Sequence, residues 1–209
     1  MKPIKSLLVL AIVCAPVVAS AQGYYGRGRY QQNGGAPIAG GFHNRTGALA
    51  WGFGLGLGGI HDGGSTITTC DNCDAKPLTL EADFHIGGML SPRLALLFEL
   101  QGNAQTLHSD FYNDDTTLEQ GAALFAAQFW LLPQLWIKGG IGFANLQVDN
   151  RYFVDDYGSG GALLLAAGVE LMSARNFAVD LQGRLLETSY NSLDDNITSA
   201  TIGIGIDWY

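Results

Sequence analysis

The sequence predicts an all-β protein: one eight-stranded antiparallel up-and-down β-barrel that crosses a bilayer, with short turns at one end and long loops at the other. Three observations carry that expectation. From residue 46 onward the chain falls into eight stretches of two-residue alternation, each near the ~9–11 residues a tilted strand needs to span a bilayer. The connections alternate between short and long. One face of each stretch is nearly free of charge, and the other carries the acids and bases.

The stretches follow in order. Trp51, Phe53, Leu55 and Leu57 stand on one face of the first, with Gly52, Gly54 and Gly56 on the other. Leu80, Ala82, Phe84 and Ile86 alternate with Glu81, Asp83 and His85. Leu94, Leu96, Phe98 and Leu100 alternate with Ala95, Leu97, Glu99 and Gln101. The fourth sets Ala123, Phe125, Ala127 and Phe129 against Ala122, Leu124, Ala126 and Gln128. The fifth sets Leu135, Ile137, Ile141 and Phe143 against Trp136, Lys138, Gly140 and Gly142. Leu163, Leu165, Ala167, Val169 and Leu171 face away from Leu164, Ala166, Gly168 and Glu170. Phe177, Val179, Leu181 and Leu185 face away from Asp180, Gln182 and Arg184. The last stretch runs to the final residue, with Ile202, Ile204, Ile206 and Trp208 opposite Thr201, Gly203, Gly205 and Asp207.

Residues 91–93, 132–134 and 173–176 read as tight turns. Residues 60–77, 105–116, 149–159 and 188–195 read as long loops. A soluble eight-stranded barrel of the lipocalin type would turn its polar face outward. Lipid cannot stabilise charge, so in a membrane the charged face must line the lumen. The uncharged face of these strands therefore favours the bilayer.

The ends fit export. Lys2 and Lys5, an apolar run from Leu7 to Val18 and Ala19-Ser20-Ala21 make a secretory signal peptide over residues 1–21. The run is too short for a spanning helix. Residues 22–45, rich in Gly, Tyr and Gln, read as a disordered periplasmic lead, and residues 46–209 as the barrel. Removing Lys2 and Lys5 takes the net charge from −8 to −10. So acidic a chain argues against nucleic acid as a partner.

The span from about Gly47 to Tyr209 resembles the small bacterial outer-membrane β-barrel family, the OmpA/OmpX-like and opacity-porin-like β-barrel domains. The residues that carry the likeness are the alternating strands, the hairpin from Trp130 to Ala144 and the ending Gly203-Ile-Gly-Ile-Asp-Trp-Tyr209. The resemblance implies the bacterial outer membrane as location, with outer-membrane lipid and lipopolysaccharide around the barrel. It also implies that Ile204, Ile206, Trp208 and Tyr209 form a C-terminal sorting strand read by the barrel-assembly machinery. It leaves the activity open, since the family holds adhesins, anchors and narrow channels.

The lumen is expected to hold Glu81, Asp83, His85, Glu99, Lys138, Glu170, Asp180, Arg184 and Asp207 as a charge network. In so narrow a barrel side chains fill the interior, so a polar plug is the first expectation and a narrow cation-preferring channel for small solutes the alternative. The first and last strands should close the barrel, and their alternating glycines should make that seam the thin-walled side. Cys70 and Cys73 are expected to form a disulfide in an oxidising compartment; a metal site with Asp71, Asp74 or His61 ranks second and a redox pair third. The acidic loops show no Ca²⁺-loop spacing. A lipid A-modifying enzyme would need Ser and His on one strand face. His108 and Ser109 are adjacent and there is no Gly-x-Ser-x-Gly elbow. No catalytic residue, metal or cofactor is assigned, and a non-enzymatic envelope structural, anchoring or surface-interaction role is expected.

Overall fold

The computed structural model describes residues 42–63, 65–66, 78–109, 114–150, 153–190, 193 and 196–209. The signal peptide, most of the lead and Cys70 and Cys73 lie outside the described residues. The elements are β1 (Leu49–Asp62), β2 (Ser65–Thr66), β3 (Thr79–Ser91), β4 (Leu94–Ser109), β5 (Asp114–Trp130), β6 (Leu135–Asn150), β7 (Phe153–Ser173), β8 (Phe177–Tyr190) and β9 (Ile197–Trp208).

Apart from the two-residue β2, which pairs only with β1, each strand pairs antiparallel with its sequence neighbours, and β9 returns to β1. The result is a closed eight-stranded barrel. The closing ladder runs from Trp51 opposite Trp208 to Asp62 opposite Ile197. Closure leaves none of the eight long strands as an open edge among the described residues, the condition for a sheet in an apolar solvent.

Alternation sorts the side chains inside out. Leu55, Leu57, Phe125, Ile141, Phe143 and Leu171 are exposed on the outer face, while Glu81, Glu99, Lys138 and Arg184 are buried within. The apolar side chains thus gain nothing from water exclusion inside the protein, which makes sense only if lipid covers them.

The turn end is built from local chemistry. Pro92 supplies the fixed φ of a tight turn after β3, and Ser91 Oγ accepts the Arg93 N–H at 3.2 Å. Between β5 and β6 the Leu135 carbonyl accepts from Leu131 and Leu132 at 2.9 and 3.2 Å, and Ala174 donates to Phe177 at 2.8 Å before β8.

At the loop end the strands run further than alternation of hydrophobicity suggests. Residues 105–109, 114–116, 149–150 and 153–159 lie within β4, β5, β6 and β7, although their composition reads as loop. Ladder hydrogen bonds need no apolar face, so pairing continues after the need for lipid-compatible side chains has ended. A register shift in the β6–β7 ladder lies where Gly158 takes φ +85°, a backbone conformation that a glycine bulge uses.

Candidate functional site: a charged lumen between apolar clusters

The nine expected lumen residues are all buried, and most of them meet. Arg184 on β8 lies at the centre. Its Nε is 3.3 Å from Glu81 Oε1, its Nη1 is 3.4 Å from Asp83 Oδ2, and its Nη2 contacts Glu99 Oε1 and donates to Gln101 Oε1 at 2.9 Å. Lys138 on β6 donates to the second oxygen of Glu99 at 2.9 Å. His85 bridges two acids, with Nε2 2.8 Å from Asp207 Oδ1 and Nδ1 3.5 Å from Asp83 Oδ1. Alternate residues of β3 thus put Glu81, Asp83 and His85 in one inward row.

The seam between β1 and β9 makes room for this row. Gly54 lies opposite Gly205, and Gly56 opposite Gly203. A Cβ on Gly54 would collide with Asp83 and Gln182, and one on Gly205 would come within 2.6 Å of Asp180 Oδ1. Over this bare floor Gln182 on β8 donates to Asp83 on β3 at 3.3 Å. The wall is thin at the seam, as its glycines predict, and polar side chains from the flanking strands occupy the space.

Glu170 stands apart from the central group, near the turn end. Its partner is a residue that composition assigned to the lead. Arg45 Nη1 donates to Glu170 Oε1 at 3.0 Å and Nη2 to the Ala174 carbonyl at 2.8 Å. Trp130 Nε1 donates to the same Glu170 oxygen at 2.8 Å, and Ser173 Oγ contacts Oε2. The guanidinium lies 3.7 Å from the centre of the Tyr209 ring, a cation–π distance. The signal was present in Arg45-Thr-Gly-Ala48: Ala48 donates to the Arg45 carbonyl at 2.9 Å, and Gly47 takes φ +79°. That is a turn with glycine at the position requiring positive φ. It aims Arg45 into the barrel.

Arg45→Ala is expected to lower unfolding stability by about 2 kcal/mol, since Glu170 would lose a charged hydrogen-bond partner. Denaturant unfolding of the vesicle-bound protein measures it. A shift below about 0.5 kcal/mol would show that the latch contributes nothing.

The C-terminal residues divide between the two faces. Ile204 and Trp208 are on the outside with Ile206, and Trp208 stacks on Trp51 at 4.4 Å with 11° between planes. Tyr209 instead packs edge-on against Trp130 at 6.2 Å, and its hydroxyl donates to Asp207 Oδ2 at 3.4 Å.

Two apolar clusters flank the charges. Ile60, Leu118, Leu146, Tyr190 and Ile197 fill the loop-end half. Ala50, Met89, Leu97, Trp130 and Trp136 fill the turn-end half. Between the first cluster and the charges, Asn103 donates to Gln120 and Ser199 at 3.0 and 3.1 Å, and Gln120 to Thr188 at 2.8 Å. Asp83, His85 and Glu99 present ligand atoms within 4.8 Å of one another. The Lys138 ammonium and the Arg184 guanidinium already neutralise these carboxylates. His108 and Ser109 are consecutive residues of β4, and their side chains lie outside the described residues.

No protein-family model matches the sequence, and no curated protein matches it. Solved structures do match in shape. The crystal structure of Ail, the attachment invasion locus protein of Yersinia pestis, in complex with the heparin analogue sucrose octasulfate, superposes with a TM-score of 0.52 at 11% identity, covering 78% of this chain and 99% of Ail. Neisserial surface protein A superposes with a TM-score of 0.52 at 12% identity, covering 77% of this chain and 95% of its own. The fold is that of the small outer-membrane β-barrels. At 11–12% identity the likeness extends to the fold and carries no side-chain correspondence.

Proposed function

We propose that this protein is a non-enzymatic barrel of the bacterial outer membrane with a filled lumen and an envelope structural, anchoring or surface-interaction role. Export under a signal at residues 1–21 belongs to this reading, as does a turn end in the periplasm. Its surroundings would be outer-membrane lipid and lipopolysaccharide, with the barrel-assembly machinery as a partner during insertion. The apolar outer face supports the membrane, and the likeness in fold supports the outer membrane.

The observation that carries the closed lumen is burial. Glu81 and Glu99 are 0% exposed, Arg184 2% and Lys138 3%, and at the loop end Ile60 is 0% and Ile197 3%. A bore wide enough for water would leave its walls accessible. A cross-linked interior suits a rigid stave that presents its hairpins to the outside. Among the described residues, the exposed charges near that end, Asp62, Glu119, Asp149 and Glu187, are acidic, so a polyanion such as the heparin analogue bound by Ail is a poor match for this surface.

Reconstituted in a planar bilayer, the protein is expected to give no conductance steps under conditions where a known porin conducts. Regular steps would overturn the filled lumen. One observation favours the second reading, a narrow cation-preferring channel. Glu81, Asp83, Glu99, Glu170, Asp180 and Asp207 outnumber Arg45, Lys138, Arg184 and His85 within the barrel. Cation selectivity of any steps seen would support that reading.

A further inference from the structure

Outside the lumen, the outer face carries a groove where the apolar belt ends, largely apolar in its lining and edged by the polar Glu119, Asn145 and Gln147. Glu119 lies opposite Gln147 and Gly121 opposite Asn145 across β5 and β6, and Gly102 on β4 lies opposite Gly121. The two glycines leave the outer face bare, and a groove of about 360 Å³ opens there, bounded by Leu80 on one side and by Asn145 and Gln147 on the other. Its size falls in the range of small-ligand sites.

The groove straddles a chemical boundary. One step toward the turn end the outer face presents Phe84 and Phe143, both exposed. One step toward the loop end it presents Thr106, Thr117 and Asp149. In a membrane this boundary is the level of the headgroups, where aromatic rings also concentrate. Among the described residues, the side chains of Glu119, Asn145 and Gln147 make no hydrogen bond. Polar groups facing the edge of an apolar phase without partners are costly, so an occupant that bonds them there is favoured over bare contact with lipid chains.

The donor set selects the occupant. A carboxylate accepts, and two amides both donate and accept. That combination suits neighbouring hydroxyl groups. The Glu119 carboxylate repels a phosphate. We infer that this groove binds the hydroxyl-bearing sugar headgroup of a glycolipid, with the acyl chains lying along the apolar belt below. The inference rests on the membrane reading above.

The test uses the full barrel in nanodiscs containing equal amounts of phosphatidylcholine, phosphatidylethanolamine and monoglucosyl diacylglycerol with the same acyl chains. Native mass spectrometry counts the lipids retained. The glucolipid is expected to exceed each phospholipid by at least about fivefold, a difference near 1 kcal/mol. Gly102→Leu fills the groove, and a Cβ at Gly102 meets nothing within 4 Å, so the barrel itself is undisturbed. Gly102→Leu and Glu119→Ala should each abolish the preference. Retention of phosphatidylethanolamine above the glucolipid would overturn the sugar assignment. An even lipid profile in correctly inserted protein, or a preference that survives both substitutions, would overturn the site alone. Failure to enter nanodiscs would overturn the site together with the membrane reading.

Discussion

Arg184→Met is expected to destabilise the barrel by about 3–5 kcal/mol, the cost of stripping a buried charge group of its counterion. The arginine touches Glu81, Asp83 and Glu99, each nearly or fully buried. Asp83 keeps His85 and Gln182, and Glu99 keeps Lys138. Glu81 keeps no ion-pair partner among the described residues, since Arg184 is the cation that contacts it. Its loss therefore dominates the penalty. Adding Glu81→Gln to Arg184→Met should restore more than about 1 kcal/mol, because a neutral amide needs no counterion. Denaturant titration of the four proteins in lipid vesicles gives the double-mutant cycle. A single-variant loss below about 1 kcal/mol, or no recovery in the pair, would refute the central role of Arg184. Lys138, whose ion-pair partner among the described residues is Glu99, should cost less when removed.

Gly203→Val is expected to prevent closure. A Cβ at Gly203 would run into the Leu55 carbonyl oxygen and lie 2.7 Å from Gly56 Cα across the seam. Both are backbone atoms of β1, so no side chain can swing aside. Relief requires the two strands to part, which breaks the ladder that joins the barrel's ends, and an open edge is not tolerated in lipid. The cost should exceed the ~1–3 kcal/mol usual for overpacking. The readout is migration on a denaturing gel with and without boiling. Gly203→Val should lose the compact unboiled form, and Gly102→Val, with open space around it, should keep it. Equal behaviour of the two variants would show that the seam glycines are not a steric requirement. Identical boiled and unboiled bands for the parent protein would count against the membrane barrel itself.

Most of the fold was legible because both of its signals are local. Alternation at Leu55, Leu57, Phe84 and Phe98 against Gly56, Asp83 and Glu99 marks which face meets lipid. Pro92 and Pro133 mark tight turns. The ends of the strands were less legible. Hydrophobic alternation reports the belt, and residues 105–109 and 153–159 remain paired beyond it. Arg45 escapes composition for a related reason: polar Gly-rich composition describes the segment as a whole, whereas one arginine is captured by Glu170 from the far side of the barrel.

The sequence by itself determined the class of fold, the order of strands, the face that each strand side chain takes and the charged residues that the strands send inward, though not Arg45. These follow from a period of two and from the cost of charge in an apolar phase. Tertiary structure alone decided the pairing of those charges. Strand curvature brings Arg184 of β8 to Glu99 of β4, and the bare glycines of β1 and β9 let Gln182 reach Asp83 across them. Such contacts join strands that are not neighbours in the sheet, so no spacing along the chain encodes them. The same holds for the outer groove, where two glycines and a carboxylate become one surface only after β4, β5 and β6 are in register.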